Sequence, residues 1–140
     1  MGRAVMEAGP FRGFLLSFSA APSAVPPVRE AVRAVAETWG LGGLADAAQL
    51  AVTELVANVA RHAASPDCSV LLRPVRDGLY AEVGDTDPRP PVVREPDWDS
   101  ESGRGMFLLA HTVDAWGVVP RRPVGKSVWF VLRGLSGEAR

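Results

Sequence analysis

Ala51-Val52-Thr53-Glu54-Leu55-Val56-Ala57-Asn58-Val59-Ala60-Arg61-His62-Ala63 decides how this chain is read. Val52, Leu55, Val56 and Val59 recur at helical spacing and, with Leu50 and Ala63, make a broad apolar face. Glu54, Asn58 and His62 fall at i, i+4 and i+8, so they form one polar row along the same helix. Neighbours in such a row stand ~6 Å apart at Cβ. Two readings fit the row. It is either the solvated side of an amphipathic helix or a set of groups for a hydrated magnesium ion and a general base. Magnesium prefers hard oxygen ligands, keeps several waters and takes its remaining ligands from phosphates. Asn58 offers such an oxygen without adding charge, and Glu54 can orient or deprotonate an attacking hydroxyl. His62, near the helix end, also suits the dipole there.

Working outward, this helix is expected over about residues 44–64, with Pro66 marking its end. Upstream, Phe14 to Ser19 reads as a strand, although residues 13–24 also resemble the apolar core of a secretion signal. Ser23 offers a helix cap, and Pro26 and Pro27 sit in the first turn, where missing amide donors matter least. Val28, Val32, Val35 and Trp39 then mark a first helix, which leaves Arg29 and Arg33 exposed as a candidate partner surface. Gly40, Gly42 and Gly43 end it.

Downstream, Cys68 to Arg73 and Leu79 to Val83 read as strands joined across Asp77-Gly78, and Pro74 points to an edge or a bulge. Residues 85–103 hold Pro88, Pro90, Pro91 and Pro96 among carboxylates, which makes them a long loop of the kind that serves as a lid. Met106 to Trp116 is apolar enough for a third helix. Gly117 to Arg121 and Ser127 to Leu132 supply two more strands around a Pro123–Gly125 turn. The expected fold is α+β: a two-layer sandwich, one domain over residues 1–140, with three helices on one face of a mostly antiparallel, mixed sheet.

Composition limits the alternatives. The 140 residues carry 15 Lys+Arg against 16 Asp+Glu, a formal net charge of −1, without the basic excess of a dedicated nucleic-acid binder. Hydrophobic residues make up 47%, enough for a core without disulfides or a structural metal. Cys68 is the single cysteine, so no internal disulfide or zinc cluster forms, and a reducing, cytoplasmic location fits. No apolar run approaches the ~20 residues a membrane span requires.

Three further pieces accompany the polar row. Asp85, at a strand end, can accept the exocyclic amine of adenine, or simply opens the loop. Gly103-Arg104-Gly105-Met106 precedes the third helix, where glycines and free amides favour a phosphate and Arg104 can add a charged bond. Ser127, in Gly125-Lys126-Ser127-Val128-Trp129, can close the adenine end directly or through water, or merely starts a strand.

In this order the pieces resemble the histidine-kinase-like (GHKL) ATPase superfamily, which includes gyrase and MutL. The likeness is strongest to anti-sigma factor serine/threonine kinases of the RsbW and SpoIIAB type, in their short actinobacterial single-domain form, and it runs from about Phe14 to Leu132. Residues 51–63 look like the N box, and Val83-Gly84-Asp85 with Pro88-Arg89-Pro90-Pro91 like the G1 region. Residues 103–109 look like G2, residues 125–129 like the last box, and Val113-Asp114-Ala115-Trp116-Gly117 matches the stretch that follows G2.

The resemblance implies a Bergerat-type ATP-binding fold with ATP and Mg²⁺ as cofactors. Asn58 would ligate Mg²⁺, Glu54 would activate the attacking hydroxyl, Asp85 would bind the adenine amine, and Gly103 to Gly105 would cradle phosphates under a lid over residues 86–102. The implied partners are a sigma factor and an anti-anti-sigma protein of the STAS type, with a homodimer through the first strand. Nucleic acid and membrane are not expected partners. One departure stands out: Asp87 fills the glycine position of the usual D-x-G, which puts phosphate transfer in doubt more than binding. Besides a kinase that sequesters a sigma factor, the sequence therefore admits a non-catalytic protein-binding module with a degenerate or structural nucleotide site. An ATPase subunit of a larger assembly is a third reading.

Overall fold

The computed structural model describes residues 3–7, 12–63, 65–86, 109–121 and 124–134. Among them run the strands β1 (Arg3–Glu7), β2 (Gly13–Ser19), β3 (Asp67–Val75), β4 (Gly78–Asp85), β5 (Ala115–Pro120) and β6 (Lys126–Arg133). They form one six-stranded sheet in the order β1-β2-β3-β4-β6-β5, and every neighbouring pair is antiparallel. Helices α1 (Val25–Thr38) and α2 (Ala45–His62), with a helical turn at residues 109–112, supply the second layer. The α+β fold expected from the sequence is the fold observed.

Alternation places the core. Cys68, Val70 and Leu72 on β3, Leu79, Ala81 and Val83 on β4, and Val128, Phe130 and Leu132 on β6 are all buried. They form one cluster with Val28, Val32 and Val35 of α1 and Val52, Leu55, Val56 and Val59 of α2. Each large apolar side chain buried this way stabilises the fold by about 1.5–3 kcal/mol. The helices therefore cover one sheet face. Tyr80, Glu82, Ser127 and Trp129, at the alternate positions of β4 and β6, are only partly buried. Gly117 belongs to this second face, where a Cβ would meet the Trp129 indole at 2.7 Å.

Several boundaries differ from the sequence reading for identifiable reasons. β1 was not expected, and it adds an edge strand beside β2. Ser23 caps nothing: a 3-10 turn (Pro22–Ala24) leads into α1, whose N-cap is Ala24 with no side-chain bond. Pro26 and Pro27 do lie in the first turn. Gly40, at φ +74°, ends α1: its amide bonds Glu37 O at 3.1 Å while the Leu41 amide bonds Ala36 O at 2.7 Å. The β3–β4 turn is centred on Arg76-Asp77, with Asp77 at φ 62°, rather than on Asp77-Gly78. Gly78 is instead the first residue of β4, where a Cβ would strike the Leu132 carbonyl. Pro74 lies past the last pair between β2 and β3, Phe14↔Leu72, so β3 is an edge at that point, as its proline predicts.

The third helix does not reach Trp116. The Val113 amide bonds Leu109 O at 3.2 Å, and the chain then joins β6 through Asp114 N to Val131 O at 2.9 Å. Asp114 Oδ2 accepts the Arg133 amide at 2.7 Å. β-Branched and aromatic residues follow, and strand pairing wins there over helix continuation.

Candidate functional site

The polar row on α2 is only partly solvated. Glu54 and Asn58 are half-buried, while His62 is exposed at the helix end. Asn58 Oδ1 is buried and accepts no hydrogen bond among the described residues, and the Thr53 hydroxyl is likewise buried without a partner among them. An amide oxygen in that condition is costly to leave unmade in a folded chain. Its chemistry, a hard neutral acceptor one helical turn from a carboxylate, fits a magnesium ligand.

α2 returns to β3 through residues 63–66, so its Asn58-bearing end stands near the start of β3. There the register aligns Phe18, Cys68, Asp85, Lys126 and Pro120 in one row across β2, β3, β4, β6 and β5. Asp85 continues the buried alternation of Leu79, Ala81 and Val83, so it faces the helices, at 4% exposure. It is the one buried charged side chain among the described residues. Its counter-charge is Lys126, whose Nζ lies 3.1 Å from Oδ2 and 3.2 Å from Oδ1. Gly125 makes this contact possible: it adopts φ +108°, and a Cβ there would collide with the Asp85 carbonyl and approach Thr86 Cα at 2.8 Å.

Ser127 is not brought to Asp85. It is in register with Gly84, on the face turned away from the helices. On that face a Cβ on Gly84 would meet the Arg121 guanidinium and, at 2.8 Å, Ser69 Oγ. The residue of β6 that meets Asp85 is thus Lys126, which the motif reading passed over. Two signals in the sequence pointed to it: it is the sole lysine of the chain, and strand alternation separates it from Ser127.

Beside Asp85, burial and then the carboxylate's charge push the Cys68 thiol up from 9.0 to about 12. Cys68 is therefore a neutral, apolar wall of the site and no nucleophile. Of the two arginines proposed as a partner surface, Arg29 is exposed, but Arg33 is half-buried and tied across the helix pair. Its guanidinium pairs with Asp46 and bonds Gln49 Oε1 at 2.9 Å, while Gln49 Nε2 donates to Arg29 O at 2.9 Å. Arg33 thus fastens α1 to α2. Asp87, Gly103, Arg104, Gly105, Met106 and all of the expected lid but Thr86 lie outside the described residues. No described helix is long and apolar enough to cross a membrane.

A buried acceptor carboxylate at the end of β4 and an unpartnered amide oxygen on α2 together suit a purine nucleotide with its metal. The family model described as the histidine kinase-like ATPase domain matches residues 18–132. No curated protein matches the chain.

Proposed function

This chain belongs to the histidine kinase-like ATPase domain family and is on that account an ATP-binding domain; from that premise we propose that it is an anti-sigma-factor-like regulator in the cytoplasm. In this reading it phosphorylates a serine or threonine of an anti-anti-sigma partner with Mg-ATP and sequesters a sigma factor. The observation that carries the catalytic part is the buried, unpartnered Asn58 Oδ1, one turn of α2 from Glu54. Asn58 would hold Mg²⁺, and the ion would supply positive charge against the phosphates. Glu54 would take the proton of the attacking hydroxyl, and Asp85 would accept the 6-amine of adenine. The Gly103–Gly105 turn, with Arg104 and Met106 beside it, would bind phosphates.

Replacing Glu54 by Ala tests it. The variant is expected to keep Mg-ATP binding and lose phosphotransfer to a co-encoded anti-anti-sigma protein. If the wild-type protein transfers no phosphate to any such partner, the kinase reading fails. The second reading, a non-catalytic protein-binding module, is favoured by Asp87 at a position where the family pattern has glycine. It expects Mg-ATP binding without transfer, or no binding at all.

A further inference from the structure

Lys126 stands where an incoming base would meet Asp85, and we propose that it is a base-reading residue: Asp85 and Lys126 together recognise an adenine edge as a paired acceptor and donor. This inference rests on the ATP-binding reading of the cleft. Nζ lies 3.1 Å and 3.2 Å from the two carboxylate oxygens, with the side chains 12% and 6% exposed. A carboxylate offers about four lone-pair positions, so Asp85 can hold the ammonium and still accept an amine. The ammonium has three donors, so it can hold Asp85 and still donate.

The chemistry of adenine matches that pair from either side. Its 6-amine is a donor flanked by two ring acceptors, N1 on one side and N7 on the other. With the amine on Asp85, the ring nitrogen on the Lys126 side receives the ammonium. A 6-oxo purine instead turns an acceptor toward the carboxylate. The backbone is built to keep the pair in place. Gly125 lets β6 press onto the end of β4, and the strand register sets Lys126 directly opposite Asp85. Serving only as a structural counter-ion, Lys126 would affect stability but would be indifferent to the ring nitrogens of the ligand.

Calorimetric titration of the full chain with Mg-ATP, Mg-1-deaza-ATP and Mg-7-deaza-ATP separates these roles. Wild type is expected to bind one of the two deaza analogues about 10-fold more weakly than ATP, the loss of one charge-assisted bond. Lys126→Met is expected to bind ATP and that analogue alike. Lys126→Gln, which keeps a donor without the charge and covers the case in which the Met variant does not fold, is expected to retain part of the discrimination. Equal binding of all three nucleotides by wild type overturns the proposal, and this outcome needs no variant. Discrimination that persists in Lys126→Met, or tighter ATP binding by that variant, overturns it as well, the latter making Lys126 a competitor for Asp85. If wild type binds no Mg-ATP, the nucleotide reading itself falls and takes this inference with it.

Discussion

Gly125 rests against the backbone of Asp85 and Thr86, and its φ of +108° belongs to a region that L side chains rarely adopt. That contact lets β6 start directly beside the end of β4, and so sets Lys126 against Asp85. Gly125→Ala must relieve both a collision and a strained dihedral. We expect destabilisation of about 1–3 kcal/mol. In a domain of this size that is a fall in Tm of several degrees, by roughly 2–8 °C per kcal/mol. Mg-ATP affinity is expected to fall with it. An unchanged melting curve would show that the strands can part there at no expense.

Asp85→Asn probes the same pair from the other side. It takes the Asp85 charge away from a Lys126 ammonium whose side chain is only 12% exposed. Removing one member of a buried pair costs roughly 3–5 kcal/mol, and the residual exposure of Lys126 puts this case at the low end. Denaturant unfolding should show that loss, and Asp85→Asn combined with Lys126→Met should recover much of it. If the double variant is no more stable than the single one, the pair is not the source of the effect.

Cys68 gives the fold an alkaline weakness. Burial and the Asp85 charge raise its thiol from 9.0 to about 12, so above pH 9 the unfolded chain loses a proton that the folded chain keeps. The unfolded state then binds fewer protons than the native state, and stability falls as pH rises. The contribution is complete below pH 9 and is lost toward pH 12. The slope for one such group is about 1.4 kcal/mol per pH unit. Urea unfolding between pH 8 and 11 should therefore be flatter in Cys68→Ala than in the wild type. Tyr80, also pushed up from 10.0 to about 12 by burial and by Glu82, adds a slope in both proteins that begins only above pH 10. Parallel curves for the two proteins would count against this assignment.

Helix periodicity and strand alternation are local, and they were enough to read α2, the central strands and the covered face. Pro74 and the Gly40 stop were legible for the same reason. The misread places depend on partners distant in sequence. Gly78 looks like a turn residue until Leu132 of β6 is placed against it. Trp116 looks helical until Phe130 pairs with it. The candidate site divides likewise: Glu54, Asn58 and Asp85 were read from spacing and motif. The choice between Lys126 and Ser127 required the register that sets Asp85 against one and Gly84 against the other.

Asn58 and Thr53 allow function to be separated from stability. Both present a buried oxygen without a hydrogen-bond partner, and such atoms weaken a fold by about 1–3 kcal/mol each unless something else binds them. Thr53→Val is nearly isosteric and removes the unpaired hydroxyl, so it should leave stability unchanged or raise it by up to about 1 kcal/mol. Asn58→Ala removes the orphan oxygen at the expense of a few contacts, and the nucleotide-free protein should lose little stability. Its response to ligand should differ sharply from that of Thr53→Val. In wild type, Mg-ATP at 100 times its Kd raises stability by about 2.7 kcal/mol. Asn58→Ala should lose the part of that gain that depends on magnesium, whereas Thr53→Val should keep it. Thermal unfolding with ATP, in the presence of Mg²⁺ or EDTA, reads this directly. If Asn58→Ala keeps the full magnesium-dependent gain, Oδ1 is not the ligand, and its burial without a partner is then only a weakness of the fold.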